Sequence, residues 1–391
     1  MDYSAGRKGM GICRMQYHYV FLMMTLVNHS IQPKEALIMI RQKRMAMKHA
    51  CRGRILGFIG LSVAAFIVFG LLGAGVVLAE PVTLKFATTI PPSNPIVTEV
   101  FEPWAKKINE ASNGELNIQV ISGPTLANAA NVWERTVSGV TEIGFGIHGA
   151  VGLPFPKTTV TSVPFVVQDL TTGSTGLWRL YEKGLIADEY KDVKVLALVV
   201  TPGSLFSSKK LIVRLEDVKG LKVRAANRIV ADVITALGGA PISVPVPEAY
   251  QALQTGVVTA IVSGWVVVNN FKLYEVVNYH LEGVALGEPS GFVIMNRQAY
   301  DKLSPKAKET LDRFSGEPFS RDYGAWFKMD AARGHERVKT LPNQHISTLA
   351  PQEKERWKKA LEPIVKTWVA KTPDGAKVLE TYRAELKKLG Q

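Results

Sequence analysis

Arg224 is the residue whose type and position most directly imply chemistry. It sits near the end of a short apolar run, Leu221 to Ala225, which reads as a buried strand. A guanidinium at the end of such a strand is costly to bury unless it is paired. Its planar fork matches a carboxylate through two parallel hydrogen bonds. Three readings are open: an anchor for an acidic ligand, an internal ion pair with an Asp or Glu, or a solvated strand end.

The flanking sequence supplies the elements that position it. Asn227 is suited to cap a helix from Arg228 to Leu237, which Gly238-Gly239 would stop. Ile242 to Val246 reads as the next strand. Pro247 and Glu248 suit the first turn of a helix carrying Tyr250, Leu253 and Gln254 to Gly256. Val257 to Ser263 reads as a third strand. The β-α-β-α-β order predicts a parallel sheet with right-handed crossovers, and such sheets bind ligands at the carboxyl ends of their strands. Arg224 and Trp265, the latter just past the third strand, lie at such ends.

The run Leu215-Glu216-Asp217-Val218-Lys219-Gly220-Leu221-Lys222-Val223-Arg224, then Leu237-Gly238-Gly239-Ala240-Pro241, then Glu248 to Val257 (EAYQALQTGV) resembles the DctP-type solute-binding proteins of TRAP (tripartite ATP-independent periplasmic) transporters. The ExYxALQTGxV phrase after a K-x-R strand carries the resemblance. It extends over nearly all of residues 82 to 390 and is densest from 215 to 257. It implies that Arg224 holds a substrate carboxylate. It also implies a two-lobe α/β periplasmic-binding-protein fold (type II-like), with parallel or mixed sheets flanked by helices. Two crossing strands near Thr201 and Gly291 would form the hinge, and a long helix would span both lobes. The expected division is 80–202 with 291–320 for lobe I, and 203–290 with part of 321–391 for lobe II.

Two departures from the family pattern bear on the ligand. Many relatives carry a further Arg before an N-S-K-like phrase, whereas Thr201-Pro202-Gly203-Ser204-Leu205-Phe206 has none. Where the usual text after the ALQTG phrase is D-G-x-x-N-P, this chain reads Thr259-Ala260-Ile261-Val262-Ser263-Gly264-Trp265. Ser263 falls at the ligand-contacting Asn, and Trp265 with Val266-Val267-Val268 makes the wall apolar. One carboxylate anchor and an apolar wall point to a hydrophobic or aromatic monocarboxylate rather than a C4-dicarboxylate. Loss of the acid also argues against a ligand-associated metal. Trp265 as a lobe-interface core residue is the competing reading.

Other candidate ligand contacts lie at strand ends and loops. Thr89 ends the first strand (VTLKFATT, with Val82, Leu84 and Phe86 alternating). Glu142 to Ile147 reads as a strand ending in a Gly-rich loop, which puts Phe145 and His148 near the cleft mouth. A lone His such as His148 is more often a structural donor than a catalyst. Phe165, in Ser162-Val163-Pro164-Phe165, resembles the family's x-x-P-F loop bordering the ligand. Val246 closes the strand after Arg224. Further helices are expected over Trp133 to Val140, Leu177 to Tyr190, and from Ser304-Pro305 onward, the last broken by Gly316 and Pro318. Trp357, Leu361, Val365 and Trp368 mark a C-terminal amphipathic helix.

The net charge of +13 is uneven. Residues 1–79 hold ten Lys and Arg against two acids, leaving 37 basic and 32 acidic residues in the remainder. No basic stripe is interleaved with aromatics, so the charge does not argue for nucleic acid. A basic block (Arg41 to Arg54) precedes 24 residues without a charge, Ile55 to Leu78, and Val77-Leu78-Ala79 fits a small-residue cleavage site. These features predict a secretory signal cleaved after Ala79, with translation starting at Met45 or Met47; an uncleaved membrane anchor is the rival. Both cysteines, Cys13 and Cys51, precede that site. No disulfide, thiol nucleophile or Cys-bound zinc is then expected in the mature domain.

The sequence contains no GxSxG, HExxH or P-loop, so neither an enzyme nor a cofactor is expected. The expected partners are a small organic acid and the TRAP membrane subunits, in the periplasm. A membrane-anchored ligand sensor and a periplasmic enzyme acting on a small carboxylic acid are the alternatives.

Overall fold

A computed structural model describes residues 80–391. The extension, the basic block, the apolar run and the cleavage site lie outside the described residues. Among those described, no helix is long and apolar enough to cross a membrane.

Two sheets define two lobes. The first has the order β2-β1-β3-β10-β4, with β1 at Val82–Thr88, β2 at Leu116–Ser122, β3 at Ile143–Ile147, β4 at Val193–Val200 and β10 at Ser290–Asn296. Strand β1 is parallel to β2 and β3, while β10 is antiparallel to β3 and β4. The second sheet has the order β11-β9-β5-β8-β6-β7. Its strands are β5 (Leu205–Ser208), β6 (Lys222–Ala225), β7 (Ala240–Ser243), β8 (Ala260–Ser263), β9 (Tyr279–Glu282) and β11 (His345–Thr348). The expected parallel unit is present, with β6 central between β7 and β8. Strand β5 joins it antiparallel through β8.

The chain crosses between lobes twice in strand order, from β4 to β5 through Thr201-Pro202-Gly203-Ser204, and from β9 to β10 through Gly283 to Pro289. The crossings are joined by Thr201 N–H donating to the Pro289 carbonyl at 2.8 Å. Helix Glu317–Lys339 spans both lobes. It is fixed to lobe I by Trp326 Nε1 donating to Glu99 (2.9 Å) and to lobe II by Asn270 Nδ2 donating to Asp330 (2.7 Å). The break at Gly316 and Pro318 is complete: Pro305–Arg313 is a separate helix, and Gly316, at φ 76°, starts the spanning one.

Helix Pro351–Lys371 also bridges the lobes. Trp357 and Leu361 enter the lobe II core, and Trp368 enters the lobe I core. The last helix, Gly375–Lys388, packs Val378, Leu379, Tyr382 and Leu386 onto lobe I. One helix was misplaced from sequence. Instead of Leu177 to Tyr190 it runs Leu170–Glu182, capped by the Asp169 carboxylate, which accepts from Thr171 and Thr172 N–H. It ends before Gly184, whose φ of 76° stops it. The apolar spacing at 177–190 obscured a polar first turn, Thr171 to Ser174.

Candidate functional site

Alternation along β6 fixes the direction of Arg224. Its neighbours Val223 and Ala225 pack into the core under helices Arg228–Ala236 and Pro351–Lys371. Arg224 therefore projects from the opposite face of the sheet. It pairs in register with Ile242 on β7 and Ile261 on β8. Two residues further along β8, on the same face, is Ser263, which pairs with Leu205 of β5.

Arg224 is 6% exposed. Its Nε donates to the Val244 carbonyl at 2.8 Å. Among the described residues no carboxylate pairs with it, and burial alone pulls its guanidinium down to about 10. Ser263 is buried, and its Oγ has no hydrogen-bond partner among the described residues. A desolvated cation without a counter-charge and a hydroxyl without a partner thus share one sheet face. An anionic oxygen acceptor would satisfy both.

A cavity of about 240 Å³ is lined by Gly203, Leu205, Gly264, Trp265, Glu282 and Glu288 among others; Arg224 and Ser263 do not line it, and it adjoins their face through Leu205, the partner of Ser263, and Gly264. Trp265 begins helix Trp265–Asn270. Its ring packs against His280 and His335 at 5.0 and 5.1 Å, and its Nε1 donates to Glu282 at 3.4 Å. It thus serves both readings, as a core residue at the lobe boundary and as a cavity wall. Val246 does not close the strand: β7 ends at Ser243, and Pro245 leads into a short helical turn, Val246–Glu248, where Val246 is half-buried two residues beyond the carbonyl that holds Arg224 Nε. Phe165, at φ 67°, packs from its lobe I loop onto the lobe II core, and its N–H donates to the Ala285 carbonyl of the second crossing. Thr89 is half-buried just past β1.

Two expected contacts are corrected. Phe145 points into the lobe I core, with its ring 5.0 Å from Phe101 and 6.0 Å from Tyr323. Residues alternate along β3, and the Gly-rich loop does not turn this ring toward the cleft. His148 is buried among Phe155, Phe292 and Tyr190, and its Nε2 bonds the Tyr190 hydroxyl at 2.7 Å. Its Nδ1 faces the Ser290 backbone without hydrogen-bond geometry. Burial pulls this imidazole down to about 3, so it is neutral at physiological pH. It is a structural residue.

Sequence reasoning missed Glu288. It is buried at the second crossing, and its carboxyl accepts the Gly203 N–H of the first. Ser204 Oγ stands near it without a hydrogen-bond geometry to any group. Burial pushes the Glu288 carboxyl up to about 7, against the pull of these neighbours. The available signal was its isolation, as the only charged residue from 283 to 296. The lobes also meet where Asn227 Nδ2 donates to Ser162 Oγ at 2.8 Å.

Residues 86–372 match the family model of bacterial extracellular solute-binding proteins, family 7, DctP. The chain belongs to this family. It is 28% identical to a TRAP solute-binding protein from Rhodoferax ferrireducens solved with benzoate, with a TM-score of 0.75 over 78% of this chain and 98% of that one. It is 28% identical to a TRAP periplasmic solute-binding protein from Bordetella bronchiseptica solved with (R)- and (S)-mandelate, with a TM-score of 0.73 over 79% and 100%. It is 25% identical to the protein TsaT of Comamonas testosteroni, named as an outer membrane transporter protein, over 78% of this chain and 92% of that one. The two-lobe α/β fold and the assignment as an organic-acid-binding TRAP receptor of the DctP type follow.

Proposed function

We propose that this receptor captures an aromatic or otherwise apolar monocarboxylate in the periplasm and presents it to TRAP membrane subunits without chemical change. The carrying observation is Arg224, a buried guanidinium with no protein carboxylate beside it among the described residues. An ion pair with a ligand carboxylate supplies the missing counter-charge. The unpaired Ser263 hydroxyl on the same face is a second donor. Leu205 and Trp265 supply apolar surface for the ligand body. The benzoate and mandelate complexes of relatives support this ligand class.

Lobe closure about the two crossings would exclude water and strengthen the ion pair. The basic block and apolar run before residue 80 support export by a signal.

Calorimetric titration with benzoate, mandelate and succinate tests the ligand class. The expected result is binding of the aromatic acids, abolished by Arg224→Ala, and little or none of succinate. A preference for succinate overturns the monocarboxylate reading, and full affinity in Arg224→Ala overturns the anchor.

A further inference from the structure

Gly203 and Glu288 form a matched pair. A Cβ on Gly203 would lie 2.7 Å from the Gly287 carbonyl and 3.1 Å from Glu288 Oε2, and closer still to Pro289 Cδ. The first crossing therefore has no room for a side chain at this position, because the second crossing and its carboxyl fill it. The pairing is held from both sides. Glu288 N–H donates to the Thr161 carbonyl at 3.0 Å, and Ser162 Oγ donates to the Glu288 carbonyl at 3.1 Å. Gly287, at φ 100°, lies so close to the Ser162 carbonyl that no other residue fits there. The Glu288 side chain is thus fixed over Gly203, two residues before Leu205, which pairs with Ser263 on the Arg224 face. The same cavity wall contains Gly203, Leu205 and Glu288.

We propose that Glu288 is a specificity-determining residue that sets the charge selectivity of this site: its carboxyl, locked over Gly203, rejects ligands whose second substituent is a carboxylate and accepts uncharged or hydrogen-bond-donating ones. The proposal rests on the Arg224 anchor proposed above. A ligand held by Arg224 and Ser263 would extend along the sheet face toward Leu205 and meet Glu288. Glu282, in the same cavity, adds to the negative potential. The other ionisable group that senses Glu288 is Tyr382, a buried phenol whose titration lies far above the physiological range. No cation among the described residues is paired with Glu288. Repulsion of a second anion therefore grows as Glu288 ionises, and burial places that ionisation near neutrality.

The test is the ratio of dissociation constants for isophthalate and benzoate, which share a ring and differ by one carboxylate. It is measured on the wild-type protein and on Glu288→Gln, at about pH 6 and about pH 8, either side of the Glu288 transition. The wild type is expected to disfavour isophthalate, by a ratio that rises about tenfold between the two conditions. In Glu288→Gln the ratio should be smaller and flat with pH. Using a ratio within one variant removes general effects of the substitution on folding. A wild-type ratio near unity overturns the proposal, as does the same ratio and pH slope in both proteins. If neither ring acid binds while butyrate does, the aromatic reading fails alone, and the ratio of succinate to butyrate decides the role of Glu288 in the same way. If no carboxylate binds, the Arg224 anchor and this proposal fall together.

Discussion

Arg224 and Ser263 share one face of the second sheet on adjacent parallel strands: Arg224 pairs with Ile261, and Ser263 lies two residues beyond it. Both are buried, and neither has a protein anion as partner among the described residues. This relationship separates an anchor from a structural ion pair by experiment. Removing one member of a structural buried pair costs about 3–5 kcal/mol of stability, because the other charge is left uncompensated. Arg224 leaves no such partner behind. Arg224→Ala should therefore retain or raise the melting temperature of the ligand-free protein. It should also weaken benzoate binding by about 2–5 kcal/mol, the range for truncating one side of a desolvated charge pair. Paired melting and calorimetric measurements check this. A large loss of ligand-free stability would point to a structural role.

Arg224→Lys is the sharper test of geometry. The ammonium keeps the charge but cannot offer the parallel fork, and Nε would no longer be fixed by the Val244 carbonyl. An affinity intermediate between wild type and alanine is expected by calorimetry. Full retention would mean that charge alone holds the ligand.

The parts of this arrangement legible in the sequence were those written in local signals. Asn227 does cap its helix, accepting from Val230 N–H at 2.9 Å, and the strands around it fall within a few residues of their expected ends. The carboxyl-end position of Arg224 followed from strand order alone. What a single sequence cannot encode locally is which face a side chain takes when both faces are buried. Strand β3 is buried throughout except at Ile147, so Phe145 could not be told from a cleft residue by alternation. The Glu288–Gly203 contact joins residues 85 positions apart and has no local signature beyond an isolated acid.

Phe145 offers a check on that correction. As a core ring packed on Phe101 and Tyr323, its truncation to Ala should cost about 3–5 kcal/mol in urea unfolding. The relative affinities for benzoate and mandelate should not change. A changed preference with little loss of stability would return Phe145 to the ligand site.

Gly203→Ala tests the close approach of the crossings. The added methyl would collide with Pro289 and stand 2.7 Å from the Gly287 carbonyl, so the crossings must separate. Overpacking of this kind costs about 1–3 kcal/mol. A lower melting temperature is expected, and an unchanged one would show that the crossings move apart freely.

His148 gives the acid limb of stability a specific origin. Its imidazole is held down to about 3 by burial, against an ordinary value of about 6.5 in the unfolded chain. The native state then binds the proton less well than the unfolded state. Its neutral form costs nothing above about pH 6.5, and the penalty grows as pH falls from there toward 3, by up to about 1.4 kcal/mol per pH unit. Global unfolding or hydration of the pocket relieves that penalty. His148→Gln keeps a side-chain amide that can hydrogen-bond the Tyr190 hydroxyl and removes the titration. The variant should be less stable than wild type at neutral pH, because the ring contacts with Phe155 and Phe292 are lost. Its stability should also fall less steeply between about pH 6 and pH 4, since only the wild type has this proton to take up on unfolding. Urea titrations across that interval measure the two slopes. Equal slopes would show that carboxylates alone set the acid limb, and that His148 is hydrated or already charged in the native protein.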